Sequence, residues 1–108
     1  MSKRSEILKN ALIKAKEAAL RFADVDDGGT CNFDAPTVFL KGWRKAEVEA
    51  AVNGAGLRCW KYRATGSSAY IICGGAYGQG NRRTAMAEEM YRSLKSDGFD
   101  AGMYYQMD

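Results

Sequence analysis

The stretch of this sequence richest in binding chemistry runs from Gly74 to Thr84, GGAYGQGNRRT. Glycines let a backbone approach a ligand closely, and a helix start presents unpaired N–H groups and the positive end of a dipole. Asn81 suits an N-cap, which puts Arg82 and Arg83 in a first helical turn, where cations oppose that dipole. A bound anion is the simplest compensation, and arginine matches phosphate through paired hydrogen bonds. Tyr77, set among glycines, has little core to serve and is expected to face a ligand. Gly78, Gln79 and Thr84 complete the polar set. The loop is neither a Walker A motif, which needs Gly-Lys-Ser/Thr, nor a G-x-G-x-x-G dinucleotide fingerprint.

Aromatic residues interleaved with cations form the second cluster. Trp43, Trp60, Tyr62, Tyr70, Tyr104 and Tyr105 stand near Arg44, Lys45, Arg58, Lys61 and Arg63, a mixture suited to stacking on planar bases. Trp43 and Trp60 taken singly read as core. Tyr70, and Trp43 together with Arg44, join the candidate ligand set, as does Asp34, whose carboxylate on a strand could meet a polar ligand group.

Other chemistries find no support. The 108 residues contain no histidine, which excludes Ser-His and Cys-His nucleophile systems, a histidine base and imidazole-ligated zinc. Asp24, Asp26 and Asp27 lack the spaced oxygens and closing glutamate of a calcium loop and read as a helix-ending turn. Glu47, Glu49, Glu88 and Glu89 read as solvated charge on outward helix faces. Cys31, Cys59 and Cys73 form no C-x-x-C pair and are expected as reduced thiols of a cytoplasmic protein. The charged N-terminus gives no sign of a secretory leader, and no apolar run approaches the ~20 residues of a membrane span. A net charge of +3 is weak for a nucleic-acid binder. No metal and no cofactor is expected.

These residues must be held by a small set of elements. Ser2 to Ala23 reads as a helix, with Ile7, Leu8, Ala11, Leu12, Ala15, Ala18, Ala19 and Phe22 as its apolar stripe. Such a helix is about 30 Å long and could pack on its own domain or on a partner chain. Cys31–Leu40 reads as a strand in which Pro36 favours an edge or a bulge. Gly42–Asn53 follows as a helix with Val48, Ala51, Val52 and Ala55 inward, stopped by Gly54 and Gly56. Leu57–Arg63 and Ala69–Cys73 read as a hairpin. Asn81–Ser96 reads as a helix burying Met86, Ala87, Met90, Tyr91 and Leu94, and Phe99–Gln106 as the closing strand. The expected class is α+β: an antiparallel four-stranded sheet in βαββαβ, ferredoxin-like order behind a long N-terminal helix. Residues 1–23 would form a packing or oligomerisation arm and residues 24–108 a single ligand-binding domain.

The segments DGGTCNFD (Asp27–Asp34), GQGNRRT (Gly78–Thr84) and YYQMD (Tyr104–Asp108) resemble small proteins of phages and mobile elements in Firmicutes. The plan as a whole also resembles the phage Thoeris anti-defence sponges. That resemblance implies a homo-oligomer that sequesters a cyclic nucleotide signal without cleaving it. The expected function is therefore non-enzymatic binding of a phosphorylated, nucleotide-derived small molecule. Two alternatives stay open: an inhibitor or adaptor that grips a host protein, in the manner of an anti-CRISPR protein, and a single-stranded nucleic-acid binder on the sheet. The last is disfavoured, because Ser68–Cys73 lacks the Arg/Lys-Gly-aromatic-Gly-aromatic motif of RNA-recognition domains.

Overall fold

The computed structural model describes residues 2–25, 28, 34–61, 68–76 and 80–105. Helix α1 (Lys3–Ala19) starts at Ser2, whose hydroxyl accepts the Ser5 N–H at 3.2 Å, and runs into a 3-10 turn, Leu20–Phe22. Then come β1 (Ala35–Phe39), α2 (Lys45–Gly54), β2 (Arg58–Lys61), β3 (Ala69–Cys73), α3 (Gly80–Ser96) and β4 (Ala101–Tyr104). The strands form one four-stranded sheet in the order β2-β3-β1-β4, with every neighbouring pair antiparallel. The chain is thus α+β with an antiparallel sheet, and its elements follow the expected order. Among the described residues no helix is long and apolar enough to cross a membrane.

Pro36 sits in a central strand rather than at an edge. Its neighbours explain the tolerance. The Phe39 N–H bonds Asp100 on the β4 side and the Leu40 N–H bonds Ser68 on the β3 side, so alternation turns the Pro36 nitrogen towards β3. The β1–β3 ladder spans only Thr37 to Phe39. The register puts the Pro36 nitrogen opposite Ile72 of β3, so the missing donor shortens the β1–β3 ladder at its end rather than interrupting its middle.

The core lies between the sheet and the helices. Val38, Leu40, Tyr70, Ile72 and Ala101 from the sheet meet Val48, Ala51 and Val52 of α2 and Met86, Ala87, Met90 and Leu94 of α3. Helix α1 packs against both α2 and α3, which settles within one chain the packing that the sequence leaves open. Its buried seam is Ser5, Leu8, Ala11, Leu12, Ala15 and Ala19. Ile7, expected inward, is 55% exposed; Ser5 takes the inner place because its hydroxyl finds the Glu47 carbonyl at 2.5 Å. Lys16 crosses to α2, its Nζ lying about a methyl group's reach from Gly56, whose φ of +76° completes the turn after that helix. A cation suits that negative dipole end.

Among the described residues no helix packs on the opposite face of the sheet, although its central residues Ile71 and Thr37 are buried. Register places Trp60, Ile71, Thr37 and Gly102 in one row across all four strands of this face. Arg58 pairs with Cys73 on one side of the row, and Phe39 with Ala69 on the other.

Candidate ligand site at one end of the sheet

Because β1 and β3 run antiparallel, the segments that leave their C-terminal ends depart from opposite ends of the sheet. The candidate residues are divided accordingly. Asp34, before β1, lies with Asn81, Arg82, Arg83 and Thr84, which follow β3. Trp43 and Arg44, which follow β1, lie at the other end. Tyr70 reaches neither, since its side chain is 2% exposed within the helix-side core. It alternates with Ile71, and the fold turns Tyr70, not Ile71, under the helices. Tyr77, Gly78 and Gln79 lie outside the described residues.

At the first end, α3 begins at Gly80, with φ of +52°, so Asn81 stands inside the helix and is not its N-cap. The Asn81 backbone N–H donates to the Gly28 carbonyl at 2.9 Å. The Arg82 Nε–H donates to the Val25 carbonyl at 3.1 Å. Arg82 is therefore a tether for the segment after α1, engaged with the protein itself. The compensating anion is also internal. Asp34 is 3% exposed, and its Oδ2 accepts the Thr84 hydroxyl at 2.7 Å, which brings a carboxylate to the first turns of α3. The sequence pairs Arg82 and Arg83 with an external anion because it does not show that Asp34 folds back onto this helix.

Arg83 is half-buried and shares with Arg58 an electrostatic influence on Cys73. Burial pushes the Cys73 thiol above its ordinary value, and the two guanidinium groups pull the other way. Cys59, on the helix side of β2, is pushed up to about 11 by burial and then by Glu49. Both thiols are free and neither is activated as a nucleophile. Beside Asp34, Tyr105 donates its hydroxyl to Glu88 at 3.2 Å. Its phenol is raised first by burial and then by the Glu88 carboxylate. Glu88 is thus a partner within the fold and not a solvated charge.

Two positions gain importance over their sequence reading. Trp60 is 53% exposed on the helix-free face, where the isolated residue reads as core. Arg58 stands two residues earlier on the same strand and the same face. Strict alternation along β2, with Cys59 packed on the core, is the signal that could have turned Trp60 outward.

The other end is a structural knot. Arg4 forks onto Glu47 at 2.6 and 3.0 Å, reaches the Gly42 carbonyl at 3.3 Å, and lies over the Trp43 ring at 4.7 Å from its centre. The Ser2 hydroxyl and the Arg44 N–H also donate to the Glu47 carboxylate, at 2.8 and 3.1 Å. These bonds hold Glu47 at about 2, with Arg4 the largest cause, then Arg44 and Ser2. Trp43 and Arg44 therefore join the start of α1 to the start of α2, and Glu47, expected as solvated charge, is the centre of the joint. Glu89 of α3 has a similar role towards the 3-10 turn after α1, accepting Arg21 of that turn at 2.9 Å and Arg92 of its own helix at 3.2 Å along an open groove of about 500 Å3.

Among the described residues no three His, Cys, Asp or Glu side chains gather as a metal site. No protein-family model matches the chain, and no curated protein or solved structure is significantly similar to it.

Proposed function

We propose that this chain is a non-enzymatic binding protein that holds a phosphorylated, nucleotide-derived ligand on the helix-free face of its sheet. One observation carries the reading. Arg58 and the Trp60 ring, two residues apart on β2 and on the same face, are both exposed at one edge of the sheet. A planar ring beside a guanidinium group offers stacking for a base and charge for a phosphate. Sequestration of a signalling nucleotide, the role of the phage anti-defence sponges, requires this kind of surface and no proton-transfer machinery. The scaffold supports the reading as well. Taken from its other edge the sheet order is β4-β1-β3-β2, with β3 between the mutually parallel β1 and β2, which is what a ferredoxin-like split βαβ arrangement requires.

The test is a fluorescence titration of a Trp43→Phe variant, in which Trp60 is the remaining tryptophan. Nucleoside mono- and diphosphates and cyclic dinucleotides serve as probes. A nucleotide ligand is expected to quench Trp60, and Arg58→Ala and Trp60→Leu are each expected to weaken binding at least tenfold. Heat denaturation of the complex should return the nucleotide intact. Failure of every probe to quench, or recovery of a hydrolysed product, refutes the proposal.

A further inference from the structure

Strand β2 forms one edge of the sheet, and among the described residues no strand pairs with its outer side. The direction of its backbone groups follows from the register. The Leu40 N–H donates to the Ser68 carbonyl at 2.9 Å, which continues the β1–β3 pairing of Phe39 with Ala69. Alternation along β3 then turns the backbone groups of Tyr70 and Ile72 towards β1, and those of Ile71 and Cys73 towards β2. Ile71 pairs with Trp60 and Cys73 with Arg58, so Trp60 and Arg58 direct their N–H and C=O into the sheet. Cys59 and Lys61 direct theirs outward. The Leu57 carbonyl continues the outward row, while its N–H is held by the Val52 carbonyl at 3.0 Å. Side chains leave this edge open as well, for Arg58, Trp60 and Lys61 are all exposed.

We infer that β2 is a self-association edge, pairing antiparallel with β2 of a second copy about a two-fold axis at Cys59, so that two sheets become one. This alignment sets outward groups against outward groups. The Cys59 N–H of each copy meets the carbonyl of the partner's Cys59, and the Lys61 N–H meets that of the partner's Leu57. Charge selects the alignment. Arg58 lies beside the partner's Trp60, twice over, as a guanidinium against an aromatic ring, and Lys61 lies opposite the partner's Leu57. Centring the pair on Arg58 or on Lys61 would instead set like charges directly opposite, which opposes pairing. Centring it on Trp60 stacks ring on ring and forgoes the contact between Arg58 and the partner's Trp60. Charges that guard an edge against chance strands thus admit this one. Arg58 and Trp60 still project from the helix-free face, and the pairing does not depend on the nucleotide reading.

The test is sedimentation equilibrium without nucleotide. So short an edge makes a small interface, and a dissociation constant on the order of 100 μM is expected, with the mass rising from one chain to two between about 1 μM and 1 mM. Lys61→Pro removes an N–H that the chain's own sheet does not use; it should weaken association at least tenfold, while Lys61→Ala keeps it. Trp60→Lys, which faces the partner's Arg58 with a second cation, should weaken it at least tenfold too, and adding Arg58→Glu should restore it. Thermal melts at low concentration confirm that each variant is folded. A wild type monomeric throughout overturns the inference, as does a dimer indifferent to both Lys61→Pro and Trp60→Lys. A mass growing beyond two chains replaces the closed pair with an open array through the β4 edge. Loss in both single variants without rescue by Arg58→Glu overturns the alignment in favour of the ring-on-ring pairing. None of these outcomes alters the nucleotide titration, which stands or falls separately.

Discussion

Replacing Thr84 by valine tests whether Asp34 belongs to the fold or to a ligand. The change keeps the side-chain volume and removes the hydroxyl that Asp34 accepts at 2.7 Å. A hydrogen bond to a charged group contributes about 1.5–3 kcal/mol, and stranding its buried acceptor costs as much or more. Asp34 is 3% exposed, so water does not readily replace the donor. For a chain of this length each kcal/mol lowers Tm by about 4 °C, and Thr84→Val is expected to melt roughly 6–12 °C below wild type. Urea titration of the wild type, Thr84→Val, Asp34→Ala and the double variant should give single effects that do not add, because the second change removes a partner already lost. Ligand affinity of folded Thr84→Val should stay near the wild-type value. If Thr84→Val melts within a degree of wild type and the cycle shows no coupling, the bond is not what holds Asp34 inside. The carboxylate then returns to the ligand set in which its sequence position first placed it.

Four further outcomes follow from the same geometry. Gly75→Ala would set a Cβ 2.5 Å from the Met90 Sδ; because Met90 is fully buried, a loss of about 1–3 kcal/mol is expected, and a smaller loss in a Met90→Ala background, whereas equal losses in both backgrounds refute the clash. Glu47 is held at about 2 against an ordinary 4.5, so its ionised form favours the folded state: the stability gap between wild type and Glu47→Gln should be full above pH 4.5 and close as pH falls towards 2, and a gap constant over that range counts against the knot. Arg82→Ala frees the Val25 carbonyl, and should speed amide exchange in residues 24–28 without weakening nucleotide binding, while a tenfold loss of affinity would return Arg82 to the site. In a Cys31→Ser, Cys73→Ser background, Cys59, at about 11, should resist iodoacetamide at pH 8 and react only above pH 10; rapid alkylation at pH 7 contradicts its burial.

Element types were legible because periodicity survives in a single sequence. Val48, Ala51 and Val52, or Met86, Met90 and Leu94, repeat at helical spacing and are buried as that spacing predicts. The candidate site was less legible, and the reason is topological. GGAYGQGNRRT and Trp43-Arg44 look alike as aromatic and cationic clusters, but antiparallel β1 and β3 send them to opposite ends of the sheet. Nothing local records that separation. Pairings over long chain distance were likewise hidden: Arg4 with Glu47, Asp34 with Thr84 and Arg82 with Val25 each join residues more than 40 apart. Each converts an apparent surface charge or ligand contact into a structural bond. Pro36 misleads for the opposite reason. Its rule is local, but its outcome depends on where the neighbouring ladder stops.

These internal bonds also sharpen what remains for binding. Trp43 is covered by Arg4, Tyr70 is in the core, and Arg82 and Asp34 are joined to the fold. The aromatic side chains of the helix-free face are placed differently. Edge strands are commonly guarded by charge against unwanted pairing, and β2 follows that habit at Arg58 and Lys61, which are both exposed. Trp60 between them breaks it by offering a large apolar ring, 53% exposed, at that edge. Phe39 does the same on a central strand, where the neighbouring glycine of β4 gives its ring a seat. Folding alone gains little from leaving either ring half in water, since each would contribute more if fully buried. Exposed rings on one face, one of them beside Arg58, are accounted for if a flat, charged molecule covers them. The exposure of Trp60 beside Arg58 is what supports the binding role proposed for the sheet face.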